Sequence, residues 1–218
     1  MPLNPNRPLL YLITSGATNE QTTSSSSEYS EVLRLTTAAV AAGIDLVQIR
    51  EKKLNTRVLF ELATHAAEIT RGTSTQLLIN DRADVAAGAG ADGVHLTTQS
   101  LPVAAVRESF GPELLIGVST HDAGEAEAAR AGGADFVVFG PVFEPLSKPY
   151  GAPVGVQALT RVASTVDPLP VIALGGVDLG NVVQCASAGA AGVAAITMFN
   201  NPDRLTDVVR EVRARFHR

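Results

Sequence analysis

The chain has 218 residues, 45% of them hydrophobic and 18% charged, with a formal net charge of −5 at pH 7. That balance gives a globular chain long enough for one sizeable core and excludes long-range attraction to nucleic acid or membrane phosphates, so any phosphate chemistry must come from a local site. The lone Cys185 excludes an intramolecular disulfide and a cysteine metal cluster. It lies on an apolar helix face and reads as a buried structural thiol. No apolar run reaches the roughly 18 residues of a bilayer span, and the first residues carry no basic-then-apolar signal, so a cytoplasmic setting is expected.

Residues 1–8 read as loop, and Leu9–Thr14 as a first strand. Residues 20–27 also read as loop, with the polar run Thr22–Ser27 expected to supply an N-cap to a helix starting near Glu28. Asp45–Arg50 is a second strand, and Val58, Leu59, Leu62, Ala66 and Ile69 follow with helical spacing. Gln76–Asn80 is a third strand, trailed by a short helix of small residues over Ala83–Ala89. Gly93–Leu96, Leu114–Ser119 and Phe136–Gly140 continue the series. Val156, Leu159, Val162 and Val166 mark another helix before the strands Val171–Leu174 and Gly192–Ile196.

The strands are continuous apolar runs rather than alternating ones, as parallel strands covered on both faces require. A repeat leads four of the helices into the next strand: Gly43-Ile-Asp45, Gly90-Ala-Asp92, Gly133-Ala-Asp135 and the weaker Gly189-Ala-Ala191. Glycine ends the helix, and a small or acidic residue turns the chain. Eight such units predict a (β/α)8 TIM barrel, a single domain over 1–218. A doubly wound open sheet is the runner-up, but no Gly-x-Gly-x-x-Gly follows the first strand.

On a barrel, the residues after each strand gather at one mouth. The ionic cluster Arg50-Glu-Lys52 closes the second strand, so Arg50 and Lys52 are expected to face an anion; a strand running into a solvated loop is the bland alternative. Asn80, Asp81 and Arg82 follow the third strand, and Ser119, Thr120 and His121 the fifth. Gly175-Gly176, with Ile196 and Thr197 in the neighbouring turn, stands where barrels hold phosphate, although tight turns also need glycine for steric reasons. Ser147-Lys148 lies in a proline-rich loop, 140–155, and either closes on an anion or stays solvated. His95, inside the fourth strand, reads as structural; His121 is the better acid–base candidate or else orients the following helix. His65 and His217 carry no signal.

Gln48-Ile-Arg-Glu-Lys52, Ile79-Asn-Asp-Arg82, Ala91-Asp-Gly-Val-His-Leu96, Ile116-Gly-Val-Ser119, Phe139-Gly-Pro-Val-Phe143 and Ala173-Leu-Gly-Gly176 together resemble the thiamine-phosphate synthase/thiazole tautomerase (TenI) family. The likeness runs in order from about Leu9 to Phe199. It implies a (β/α)8 barrel of thiamine biosynthesis that binds a thiazole phosphate at its mouth through Gly175, Gly176, Ile196 and Thr197. It further implies that Gln48, Arg50, Lys52, Asn80, Ser119, Ser147 and Lys148 surround a second substrate, the pyrimidine diphosphate. Asp81 matches one of two magnesium-binding carboxylates.

Two departures divide the family's branches. Ser100 stands where the synthase has its second magnesium carboxylate, and Glu144-Pro-Leu-Ser-Lys148 alters the Pro-Thr-x-Thr-Lys loop. The tautomerase moves a proton with a histidine at the position of His121 and needs no metal, and its Ser-Lys-Pro run is the closer match. These points favour a thiazole tautomerase with His121, Ser119 and Lys148 catalytic and no cofactor. The alternative is a synthase using Mg²⁺ on Asp81, which the Arg50/Lys52 pair favours, and a non-catalytic thiazole-phosphate binder is a third reading. The expected partners are these small phosphorylated molecules, with neither nucleic acid nor membrane; a homodimer is compatible with the sequence.

Overall fold

Strands that must hide both faces do so here by lying between a ring of helices and the inside of a closed barrel. The computed structural model describes Leu3, residues 7–144 and residues 152–216. In chain order the elements are β1 (Leu9–Ile13), α1 (Ser27–Ala42), β2 (Leu46–Ile49), α2 (Thr56–Thr70), β3 (Gln76–Asn80), α3 (Ala83–Ala89), β4 (Gly93–Leu96) and α4 (Val103–Phe110). They continue as β5 (Leu115–Thr120), α5 (Ala123–Ala131), β6 (Phe136–Phe139), α6 (Val156–Val166), β7 (Val171–Leu174), α7 (Val182–Ser187), β8 (Gly192–Ala195) and α8 (Leu205–Phe216). All strand pairings are parallel between neighbours, and β8 returns to β1, with Leu9 opposite Gly192 and Leu12 opposite Ala195. This is the (β/α)8 barrel, not the open sheet.

The side-chain period of two divides each strand's residues between interior and exterior. Leu9, Tyr11, Ile13, Leu46, Leu78, Leu115, Phe136, Val138, Ile172 and Ala194 pack together inside the barrel. The opposite faces pack under the helices in a larger core that includes Leu62, Val85, Leu159, Cys185 and Val212. Burial pushes the Cys185 thiol up to about 12, as suits a structural thiol rather than a nucleophile.

The Gly-x-Asp repeat has a second purpose that the sequence reading did not reach. Asp45, Asp92 and Asp135 each accept a backbone N–H from the preceding strand, from Leu10, Leu77 and Ile116 respectively, at 2.7–2.8 Å. The carboxylates thus bolt neighbouring strands together at the N-terminal face. Asp45 also pairs with Arg7 and with Arg213 of α8, and Arg213 reaches Pro8 O and Gly43 O as well. Two other expectations need correction. Ser26 is the N-cap of α1, but its hydroxyl closes the preceding turn by accepting from Thr23 N–H instead of capping. His65 bonds the Tyr29 hydroxyl at 2.7 Å and so joins α2 to α1.

Candidate active site at the barrel mouth

Strand register brings four polar residues to the interior face near the C-terminal end: Gln48 on β2, Asn80 on β3, His95 on β4 and Ser119 on β5. Gln48 lies opposite Leu78, Asn80 opposite His95 and Ser119 opposite Val138, within the interior series. Gln48 is 1% exposed, and its Nε2 has no hydrogen-bond partner. An amide donor left like this costs about 1–3 kcal/mol, which a ligand oxygen would recover. Arg50, at the end of β2, is partly buried, and its guanidinium has no partner among the described residues. Its charge reaches the interior: burial first, then Arg50, pushes the His95 imidazole down to about 3. Lys52 is exposed on the rim.

Glu51 does not join this cluster. It is 3% exposed and turns inward. Its carboxylate accepts from the Thr14 hydroxyl at 2.6 Å, from Gly16 N–H at 3.2 Å, and from the Thr18 N–H and hydroxyl at 3.1 and 2.7 Å. Thr14 Oγ1 in turn accepts the Arg50 N–H at 2.8 Å. Glu51 therefore fixes the β1–α1 loop and, one bond further, the backbone that carries Arg50.

Asp81 follows β3 with φ at 59°, the positive-φ non-glycine residue among the described residues. Strain of this kind costs of order 1–3 kcal/mol and collects at functional sites. Arg82 beside it is taken up by Asp84 and Thr56. Lys52, Asn80 and Asp81 border a cavity of about 290 Å³ between these strand ends and α2. In the loop after β4, Ser100 Oγ accepts from Thr97 N–H at 2.7 Å and lies 3.1 Å from Thr97 Oγ1. The hydroxyl closes its own turn.

A second cavity, of about 120 Å³, lies between the ends of β7 and β8 and is bordered by Gly175, Gly176, Ile196 and Thr197. Among the described residues the N–H groups of Gly176 and Thr197 donate to no acceptor. Gly176 has φ +60°, and a Cβ there would stand 2.6 Å from Glu144 O and 2.8 Å from Phe143. The steric reading of the glycine pair holds, and the same turn borders a space of phosphate size. On the phosphate site expected from the resemblance, Gly176→Ala should lower affinity for thiazole phosphate at least about tenfold, through displacement of the Gly176 amide. Calorimetric titration checks it.

His121 is paired within its own turn. Asp122 caps α5 by accepting Glu125 N–H, and Glu125 reaches back to His121 N–H at 2.7 Å and His121 Nδ1 at 3.0 Å. The exposed imidazole borders a surface groove shared with Thr160 and Arg161 of α6. Ser147 and Lys148 lie outside the described residues. Larger depressions of about 570 and 410 Å³ open at the opposite end, around Gln76 and Pro170. Size is a poor guide here, because chemistry on parallel barrels gathers at the C-terminal face.

The chain is thus a (β/α)8 barrel with a glycine-lined cavity between its last two strands and, at the end of β2, a guanidinium without a partner among the described residues. The family model described as thiamine monophosphate synthase matches residues 10–199, and the chain belongs to that family. It is 46% identical over 175 residues to a Geobacter sulfurreducens protein provisionally named thiamine-phosphate synthase, covering 79% of this chain and 82% of that one. A thiamine-phosphate synthase of Methanoculleus marisnigri is 37% identical over 207 residues, 94% of each. Among solved structures, thiamine phosphate pyrophosphorylase from Pyrococcus furiosus superposes with a TM-score of 0.79 at 27% identity, covering 98% of this chain and 97% of that one. No described helix is long and apolar enough to cross a membrane.

Proposed function

We propose that the protein is a thiamine-phosphate synthase, joining hydroxymethylpyrimidine diphosphate to thiazole phosphate with release of pyrophosphate. The carrying observation is a donor set at the mouth with no partner among the described residues: the buried Gln48 amide and the Arg50 guanidinium. A thiazole phosphate seated between β7 and β8 leaves those donors unused, whereas a diphosphate on a second substrate uses them. The relatives named as synthases support the same choice. The tautomerase reading that the sequence favoured is not supported, because the relatives are named as synthases; the His121 imidazole is paired with Glu125.

In this reading, amides of Gly176 and Thr197 seat the thiazole phosphate. Arg50, Lys52, Gln48 and Asn80 bind the diphosphate. The bond from the pyrimidine methylene carbon to the diphosphate oxygen breaks, and pyrophosphate leaves with the electron pair. The thiazole nitrogen then shares its lone pair with that carbon. Fixed positive charge where negative charge accumulates lowers the barrier without reorganisation at the moment of reaction.

The metal fits on limited terms. No group of three or more candidate ligand side chains occurs among the described residues, and Ser100 is committed to its own turn. Asp81, with no hydrogen bond to its carboxylate among the described residues, fits a Mg²⁺ whose other ligands are diphosphate oxygens and water. When bound, Mg²⁺ would neutralise charge on the departing pyrophosphate.

Incubation with both substrates and Mg²⁺ should yield thiamine phosphate and pyrophosphate in equal amounts, and His121→Ala should work at the wild-type rate. No condensation, together with aromatisation of thiazole carboxylate phosphate, would overturn the proposal in favour of the tautomerase. Thiazole phosphate binding with neither reaction would leave a non-catalytic binder.

A further inference from the structure

Beneath the mouth lies a polar chain that the proposed reaction does not yet use. Tyr11 is fully buried inside the barrel, and its hydroxyl lies 3.2 Å from His95 Nδ1. His95, 3% exposed, places Nε2 2.8 Å from Ser119 Oγ. Phe136 meets Tyr11 edge-on, with ring centroids 5.7 Å apart, and packs against His95 at 6.4 Å. These rings leave the pair little freedom to turn.

Proton counting sets the direction of the chain. A buried O–H must find an acceptor, and His95 Nδ1 is the partner of the Tyr11 hydroxyl among the described residues. Burial raises the Tyr11 pKa, so the phenol keeps its proton. Both His95 ring nitrogens lie against hydroxyls and no described carboxylate pairs with the ring, so it carries one proton. With Nδ1 accepting, that proton sits on Nε2, which donates to Ser119 Oγ. The serine's own hydrogen then has no protein acceptor among the described residues, and the side chain is only partly buried. The reverse direction would leave a fully buried phenol with no acceptor.

We propose that Tyr11 and His95 are positioning residues that fix Ser119 as a hydrogen-bond donor toward an anionic oxygen of the diphosphate substrate. This rests on the synthase reading for the identity of the ligand. The direction of the chain rests on the protein alone.

Two experiments separate these layers. In the ligand-free protein, long-range ¹H–¹⁵N correlations of labelled histidine should show His95 as the Nε2–H tautomer, and Tyr11→Phe should yield a tautomer mixture. A wild-type Nδ1–H tautomer, or an unmixed pattern in Tyr11→Phe, would overturn the relay. In condensation kinetics, Ser119→Ala and His95→Leu should each lower kcat by roughly 10- to 100-fold, with KM less affected. The double variant should be no slower than Ser119→Ala alone, because His95 acts through the serine. His95→Gln, whose amide can accept from Tyr11 and donate to Ser119, should recover most of the rate, and it remains informative if His95→Leu does not fold. Multiplying losses in the double variant, or no rescue by glutamine, would overturn the proposal. A wild-type protein inactive in condensation but showing the Nε2–H tautomer would remove the synthase reading and leave the relay standing.

Discussion

Arg50→Ala should lower kcat/KM for hydroxymethylpyrimidine diphosphate by roughly 10²–10³-fold, the loss typical of one preorganised electrostatic contact. The reasoning starts from what the side chain lacks. A partly buried guanidinium without a partner among the described residues is a charge held ready at the end of β2. The affinity for thiazole phosphate, read by calorimetry, should stay at the wild-type value, since the β7–β8 pocket is bordered by Gly175, Gly176, Ile196 and Thr197 and does not include Arg50. Arg50→Lys should be only a partial substitute, because an ammonium cannot offer two parallel N–H donors to phosphate oxygens. A loss below about tenfold in Arg50→Ala, against the charge-assisted bonds expected here, would mean that the diphosphate is held elsewhere.

Glu51→Ala should be the most damaging single change near the site, although Glu51 touches no substrate in this reading. The deletion leaves two hydroxyls and two backbone N–H groups, from Thr14, Gly16 and Thr18, without their acceptor. Unsatisfied buried donors to a former charged partner cost of order 3 kcal/mol together. For a chain of this size that corresponds to a Tm lower by roughly 6–12 °C. Thermal melts check the number. A second effect follows through Thr14, whose hydroxyl accepts the Arg50 N–H: the diphosphate KM should rise even at temperatures where the variant is fully folded. A melt within about 2 °C of wild type, below what even one lost bond of this kind predicts, would show that the loop does not depend on Glu51.

The eight strands were legible because parallel packing demands unbroken apolar runs, and β3, β4 and β7 have the predicted bounds. The short α3 was legible too, since Gly90 stops it in the left-handed region. The cavity between β7 and β8 could be placed for a similar reason: Gly175-Gly176 and Thr197 mark the adjacent turns that border it. The direction of Glu51 was hidden, because its partners lie 33–37 residues away and nothing local separates an inward carboxylate from an outward one. The same distance hid the partners of His95, with Tyr11 84 residues away and Ser119 24. His121 is different, since a signal was present. Asp122 with Glu125 three residues later is the pattern of a capping box, and here Glu125 accepts the N–H of the residue before the cap, His121.

The bolt at the N-terminal face bears on how this protein is made. Arg213, in the last helix, holds Asp45, Gly43 O and Pro8 O, while β1 takes β8 as its neighbour. No N-terminal portion of the chain carries both sides of that seam. A ribosome must have translated β8 before β1 can lose its open edge, and until then the nascent strands expose pairing groups that other chains could capture. Such sheets assemble slowly because their decisive contacts join distant residues. Yield in a host cell should therefore depend on how well that interval is chaperoned.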